Sequence, residues 1–374
     1  MTPLRSLAVL SVLFLAAPLA GERLRPLPPV KPSEADIPQF RQSWRVLEPI
    51  SRGNLSIYPI LSKLNADTSA YLTLDEGVAS GEVRIAERGQ IEPALLRRRD
   101  DSRWPRPPQG GASVNELVLI NNSARPLILL AGEVVTGGKQ NRVIGADVVV
   151  PPKSEPLPLS VFCVEHGRWS ESRGTFAPAQ AIANPEIRRQ AQTHKSQRGV
   201  WEAVDRVAAS AGAAPATRDY SEVLNSAPVR REWDDAAGKI QADYERELRE
   251  HLRRREVVGV VVAINGRLVW ADVFSSSQLF EKYWPRLLRS YVIEAARPHI
   301  QGGFGARVMF PVPSAKEAQQ FLLADDGAAT DHLEPGAFRR TEIAGKDFQL
   351  VALEALEGKS EFGLLLHYNK MLRG

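Results

Sequence analysis

The chain has 374 residues, 43% of them hydrophobic and 25% charged, with a single cysteine. These fractions exclude wholesale disorder, and one thiol excludes an intrachain disulfide framework and a CxxC redox or zinc module. The net charge is +4 and 37 of the 48 basic residues are arginine, a mild bias that gives no reason to expect a nucleic-acid partner.

Arg5, the apolar run over 7–17 and the small residues Ala20 and Gly21 have the layout of a secretory signal peptide over 1–20. An exported protein, periplasmic or secreted, is therefore expected. The run is shorter than the roughly 20 residues that cross a bilayer, so no membrane span is expected apart from it. Pro26, Pro28, Pro29 and Pro32 make an extended linker over 21–46, with folding expected to begin near Trp44. Beyond it the reading is a β-rich part over 47–182, a helical segment over 183–256 and a mixed part over 257–374. The whole of 47–374 can form one domain.

Leu55–Leu61 reads as a strand, with Pro59 compatible with an edge. Residues 94–112 are charged, rich in Pro and Gly and aperiodic, hence a long surface loop. The runs 114–120 and 126–130 flank a turn-rich link and predict a hairpin, and 143–150 with 157–164 predict a second pair. These runs are apolar on both faces, as in strands buried between layers. Helices are expected over 196–211 and 234–256, the latter with Ile240, Tyr244, Leu248 and Leu252 on one face. Val257–Ile264 and Arg267–Phe274 flank Asn265-Gly266, a strong hairpin signal. A helix over 278–296 and strands over 308–312, 338–343, 348–353 and 362–368 complete the chain. Hairpins clustered at both ends, with amphipathic helices between, predict an α+β fold with mostly antiparallel strands.

Two segments carry chemistry. Gly137, Gly138, Lys139, Gln140, Asn141 and Arg142 follow Glu133 between two strands. Paired glycines let backbone N–H groups approach a ligand, and the following side chains are donors, so the segment is a candidate cradle for phosphate or carboxylate. It is not a P-loop, because Glu133 stands where the first glycine belongs and Gln140 where Ser or Thr would hold magnesium. The competing reading is a glycine-rich turn between core strands.

The second segment runs from Cys163 through Glu165, His166 and Arg168 to Trp169. Strand alternation puts Cys163 and His166 on opposite faces about 10 Å apart, so the thiol reads as a small buried hydrophobe. Glu165, His166, Arg168 and Trp169 are the better candidates: a proton carrier, an anion fork and a stacking surface. Their competing reading is a surface ion pair beside a half-buried indole. No HxH, HExxH, GxSxG or complete dinucleotide fingerprint occurs, and no metal or cofactor is expected.

LAGEVVTGGKQNRVI (130–144), LSVFCVEHGRW (159–169) and GVVVAINGRLVWADVFSSSQLFEKYWPRLLRSY (259–291) together resemble a domain family named for its association with ADP-ribosylglycohydrolases (ARG) and rhodanese-phosphatases. The resemblance covers roughly residues 47–374 and implies a link to ADP-ribose or phosphoryl chemistry, with no catalytic set to transfer. Three functional expectations follow. One is a domain binding an anionic or sugar- or nucleotide-like small ligand through Gly137–Arg142, Arg168 and Trp169. Another is a hydrolase of a glycosidic, ester or phosphoryl bond, with Glu133 or Glu165 as acid or base, His166 as shuttle and Arg142 or Arg168 stabilising negative charge. The third is an envelope protein without a small-molecule site. Both site readings require Glu133, Arg142, Glu165, His166 and Arg168 to converge on one pocket.

Overall fold

The computed structural model describes residues 37–87, 116–168, 174–213, 216–296, 310–334, 337–356 and 363–373. The signal peptide over 1–20, the linker up to 36, the loop over 94–112 and Trp169 lie outside the described residues.

Folding begins earlier than Trp44. A helix, α1 (Ile37–Ser43), precedes β1 (Arg45–Val46), β2 (Ile50–Arg52) and β3 (Leu55–Leu61). Phe40 of α1 packs on the cluster around Trp44 and Tyr58, which accounts for the early start. There follow β4 (Leu72–Thr73), α2 (Leu74–Ala79), β5 (Val83–Glu87), β6 (Glu116–Asn121), β7 (Leu127–Leu129), β8 (Glu133–Thr136), β9 (Arg142–Ile144), β10 (Val148–Val150), β11 (Leu157–Cys163) and β12 (Thr175–Ile182). The middle of the chain holds α3 (Pro185–Gln192), α4 (Gln197–Ser210), α5 (Tyr220–Leu224), a π-helical turn (Val229–Trp233) leading into α6 (Asp234–Glu247), and α7 (Arg249–Arg253). Last come β13 (Val257–Ile264), β14 (Arg267–Phe274), α8 (Ser277–Ala295), α9 (Ala315–Leu323), β15 (Gly327–Glu334), β16 (Phe338–Gly345), β17 (Phe348–Ala355) and β18 (Leu364–Leu372). The fold is α+β. No helix among the described residues is long and apolar enough to cross a membrane.

Nine strands form one antiparallel sheet in the order β1-β3-β13-β14-β18-β17-β16-β15, with β2 also on β3. β3 pairs along its whole length with β13, from Leu55 opposite Ile264 to Leu61 opposite Val257. Every position of β13 is buried because both faces are covered. Beyond the register shift between Val257 and Gly259, Val261 and Ala263 lie on the side of Ala318 and Leu322 of α9, while Val260 and Val262 lie on the side of Tyr283, Leu287 and Tyr291 of α8. This is the two-residue alternation of a strand between layers. Asn265 and Gly266 both take positive φ, 54° and 75°, as the expected tight hairpin requires.

A second body is a closed barrel, β11-β6-β5-β12-β8-β9, filled by Ile85, Leu119, Val135, Ile144, Leu159, Val161 and Phe176. The small sheet β10-β7-β4 shares this core through Leu72, Leu127, Leu129 and Val150. Helix α8 contacts β12 of the barrel as well as β13 and β14 of the large sheet.

Several expected pairings resolve differently. The hairpin expected from 114–120 and 126–130 does not form: β6 pairs with β5 and β11, and β7 with β10 and, in parallel, β4. The Asn121 side chain donates to the Arg125 and Pro151 carbonyls at 2.9 and 3.0 Å, which turns the link away from a tight return. The run 143–150 breaks into β9 and β10, since Asp147 between them is wholly buried in a polar cluster. The helix expected over 234–256 divides at Leu248, where ψ reaches 11°. Residues 310–312 form no strand, and 308–309 lie outside the described residues.

Candidate functional site

The β8–β9 hairpin turns through 137–141. Gly137 has φ 143°, and a Cβ there would stand 2.5 Å from the Thr175 carbonyl oxygen, so only glycine fits so close to β12. The bend expected of a cradle is present, and side chains of the protein take up its donors. Gly137 donates its N–H to Asn141 Oδ1 at 3.0 Å, Lys139 to Glu87 at 2.9 Å, and Asn141 to Glu165 Oε2 at 3.1 Å.

Glu165 follows the end of β11 and is buried. Arg168 grips it with Nε at 2.8 Å and a terminal nitrogen at 2.7 Å, and donates to the Gly138 carbonyl at 2.8 Å. From the other side, Asn141 Nδ2 donates to Asp219 at 3.0 Å and Ser221 Oγ at 3.1 Å. Asp219 caps α5, accepting the Ser221 N–H at 3.0 Å. Three distant stretches thus enclose a cleft of about 350 Å³. Thr136, Gly137 and Asn141 come from the hairpin, Glu165 and Arg168 from the segment after β11, and Thr217, Asp219 and Glu222 from the head of α5. Partial burial, then Asp219 and Glu165, raise the pKa of Glu222. Three carboxyl groups face one guanidinium already paired with Glu165, so the cleft carries excess negative charge.

The expected convergence is partial. Glu165 and Arg168 line the cleft with Gly137 and Asn141, whereas the Gly138 carbonyl accepts from Arg168 and the Lys139 side chain is exposed. Gln140 is fully buried, with its Oε1 unpartnered. Arg142 is buried and donates to the Gln140 and Asn141 carbonyls. Desolvation lowers its pKa, against the pull of Cys163, Glu87 and Glu165. The His166 ring rests on Trp201 at 4.2 Å between centroids, with Nδ1 3.1 Å from Arg218, and its backbone N–H reaches Thr217. Glu133 stands apart at the base of the hairpin. It accepts from the Leu130 N–H at 2.8 Å and pairs with Arg286 at 3.2 Å. Burial pushes its pKa up to about 7 although Arg286 opposes the shift. Cys163 is buried in the barrel wall and its thiol is pushed up by burial, as its apolar neighbours predict.

Thr217, Asp219 and Glu222 escaped the motif search. Their only sequence signal is a helix start, Asp followed three residues later by Glu before an apolar pair. A second polar centre also escaped it: Asp272 of β14, Arg188 of α3, His367 of β18 and Asp147, all fully buried. Among the described residues no group of three or more His, Cys, Asp or Glu side chains is placed to hold a metal ion.

The family model of the ARG and Rhodanese-Phosphatase-superfamily-associated Protein domain matches residues 43–360. No curated protein matches the chain, and no solved structure does.

Proposed function

The chain belongs to the ARG and Rhodanese-Phosphatase-superfamily-associated Protein domain family, and from that premise we propose that it is a binding domain whose cleft at the head of α5 takes a small, hydroxyl-rich ligand of sugar or ribose type. The observation that carries this reading is the character of the lining. Asp219, Glu222 and Asn141 with the hydroxyls of Thr136 and Thr217 surround the cleft, and Arg168 is committed to Glu165. Carboxylates accept hydrogen bonds from hydroxyl groups and repel anions. The ribose of an ADP-ribose-like molecule therefore suits the cleft better than its phosphates do. A volume of about 350 Å³ lies at the small end of ligand pockets.

A thermal-shift and calorimetric panel of ribose, glucose, ADP-ribose and inorganic phosphate tests this. Neutral sugars should bind and phosphate should not, and Asp219→Asn should abolish binding. Phosphate binding without sugar binding would overturn the reading.

One observation favours a second reading, hydrolysis of a glycosidic bond: the raised Glu222 carboxyl beside Asp219 is suited to proton donation. Release of free sugar from a bound glycoside, lost in Glu222→Gln with binding kept, would select it. The apolar run over 7–17 supports export, which cell fractionation tests.

A further inference from the structure

The hairpin that carries the cleft at its tip ends, at its base, among buried charges outside the site. Just before β8, Ala131 donates its N–H to Asp147 Oδ1 at 2.7 Å, and its carbonyl accepts Arg188 Nε at 3.2 Å. The Gly132 N–H closes the base on the Ile144 carbonyl at 2.8 Å. A Cβ on Gly132 would stand 2.5 Å from Arg188 Cγ, so α3 packs directly on this base.

Asp147 follows β9, and beyond it lies His367 of β18. The imidazole Nδ1 is 2.6 Å from Asp147 Oδ2 and Nε2 is 3.1 Å from Asp272 Oδ1. Ionised carboxylate oxygens only accept, so both ring nitrogens must carry hydrogen and the ring is an imidazolium. Asp272 also accepts two Arg188 nitrogens at 2.9 Å each, Trp270 Nε1 at 2.9 Å, Asn369 Nδ2 at 2.8 Å and the Tyr291 hydroxyl. Two cations and two anions balance in a site sealed from solvent.

We propose that His367 is a positioning residue: its imidazolium ties the base of the β8–β9 hairpin, in the barrel, to β14 of the large sheet, and thereby sets the shape of the cleft at the hairpin tip. The consequence for ligand binding rests on the cleft reading above. The tie itself does not.

The groups facing the ring fix the direction of its pH dependence. They are Asp147 from the β9–β10 link and Asp272 of β14, with the Phe274 ring at 4.7 Å, and Arg188 of α3 and Tyr291 of α8 bind Asp272 beside it. Arg340 of β16 donates to the Asp147 carbonyl at 3.2 Å, and Glu133 with Arg286 stands at the same base. Burial lowers the pKa of His367, and Asp147 and then Asp272 outweigh it, lifting the value to about 9. With a folded-state value above the ordinary 6.5, the tie is complete below that ordinary value and is lost as pH rises through about 9.

Methyl NMR on the full chain tests the coupling without any ligand. The Thr136 methyl, at the cleft, should titrate with the same midpoint near 9 as the His367 ring carbons, while Val351 in β17 stays still. His367→Gln should abolish the Thr136 titration. The double variant Asp147→Asn, His367→Gln removes one charge of each sign, and should restore the neutral-pH Thr136 signal with no step near pH 9, whatever Glu133 contributes near 7. A Thr136 methyl with no step near pH 9, or a step near 9 that survives His367→Gln, would overturn the proposal. If His367→Gln does not fold, the wild-type titration and the double variant decide it. Ribose affinity should weaken at least tenfold across the same midpoint. Absence of any sugar binding would refute the cleft reading alone, and pH-independent binding across a moving hairpin would refute the coupling.

Discussion

Asp272→Asn is the sharpest perturbation of the buried centre. The substitution keeps the shape of the side chain and one acceptor oxygen, and replaces the other oxygen with an NH₂ group. With the carboxamide placed to keep Arg188, Trp270 and Tyr291 on the retained oxygen, the new donors face the second Arg188 nitrogen, His367 Nε2 and Asn369 Nδ2. Arg188 and His367 are then two buried cations sharing Asp147. Removing one partner of a buried ion pair costs about 3–5 kcal/mol, and the stranded donors add about 1–3 kcal/mol. A loss near 5 kcal/mol is comparable to the entire stability of many domains, about 5–15 kcal/mol. With a urea dependence of about 3 kcal/mol/M, the unfolding midpoint should fall by roughly 1.5 M. Equilibrium urea unfolding read by tryptophan fluorescence measures it, since Trp270 is fully buried beside Asp272. Arg198→Ala is the control, because its partner Glu202 is on the surface and the pair is 88% and 50% exposed; its effect should stay under about 1 kcal/mol. A midpoint for Asp272→Asn within about 0.3 M of wild type, at unchanged slope, would refute the reasoning.

Other substitutions probe the hairpin and the barrel. Glu133 has its pKa lifted from 4.5 to about 7, so the folded state holds its proton more tightly than the unfolded chain, and stability drains away as pH rises through 7. Relative to Glu133→Gln, the wild type should lose roughly 3 kcal/mol between pH 4.5 and 8, and parallel urea midpoints for both proteins would expose an unchanging difference. Gly137→Ala should lower the melting temperature and sugar binding together, because its Cβ meets the Thr175 carbonyl. Gly81→Ala, at φ 75° with nothing within 4 Å, should show only a backbone cost of about 1 kcal/mol, and equal losses would show that the close approach to β12 is immaterial. The Cys163 thiol should react with iodoacetamide roughly a hundredfold or more slowly in the folded protein than in urea, and rapid labelling at pH 8 would place it on an open surface.

What could be read in advance was local. Asn265-Gly266 set a hairpin whose strands run as expected, and the apolar runs at 126–130 and 143–150 foretold the full burial of β7 and β9. Which strands meet was not legible, because β3 and β13 are joined by pattern-free backbone pairing across some two hundred residues of chain. The misread link after β6 turned on one Asn121 side chain bonding to Pro151, a partner thirty positions away. In the site, polar residues interrupting apolar strands betrayed Glu165, Arg168 and the glycine loop. Asp219 and Glu222 looked like an ordinary helix start. Arg188, Asp272 and His367 gave no signal, since each is a single charge in an unrelated segment and only the fold brings them together.

The two polar centres divide the work of the β8–β9 hairpin. At its tip, backbone donors that an anion would need are turned onto Glu87, Glu165 and Asn141, so the loop is held by carboxylates from β5 and from the segment after β11. With those donors occupied, the groups left facing the cleft are mainly acceptors. At its base, the strand ends are fixed by Asp147 and Arg188 to charges on the large sheet. Short strands of four and three residues cannot hold a register firmly by themselves. Side chains anchored at both ends add to the pairing with β12 and β11 that closes the barrel. On the proposed reading, a ligand recognised by hydroxyl geometry needs acceptors held to a fraction of an ångström, and the buried charges at the far end of the hairpin are placed to supply that rigidity from outside the cleft.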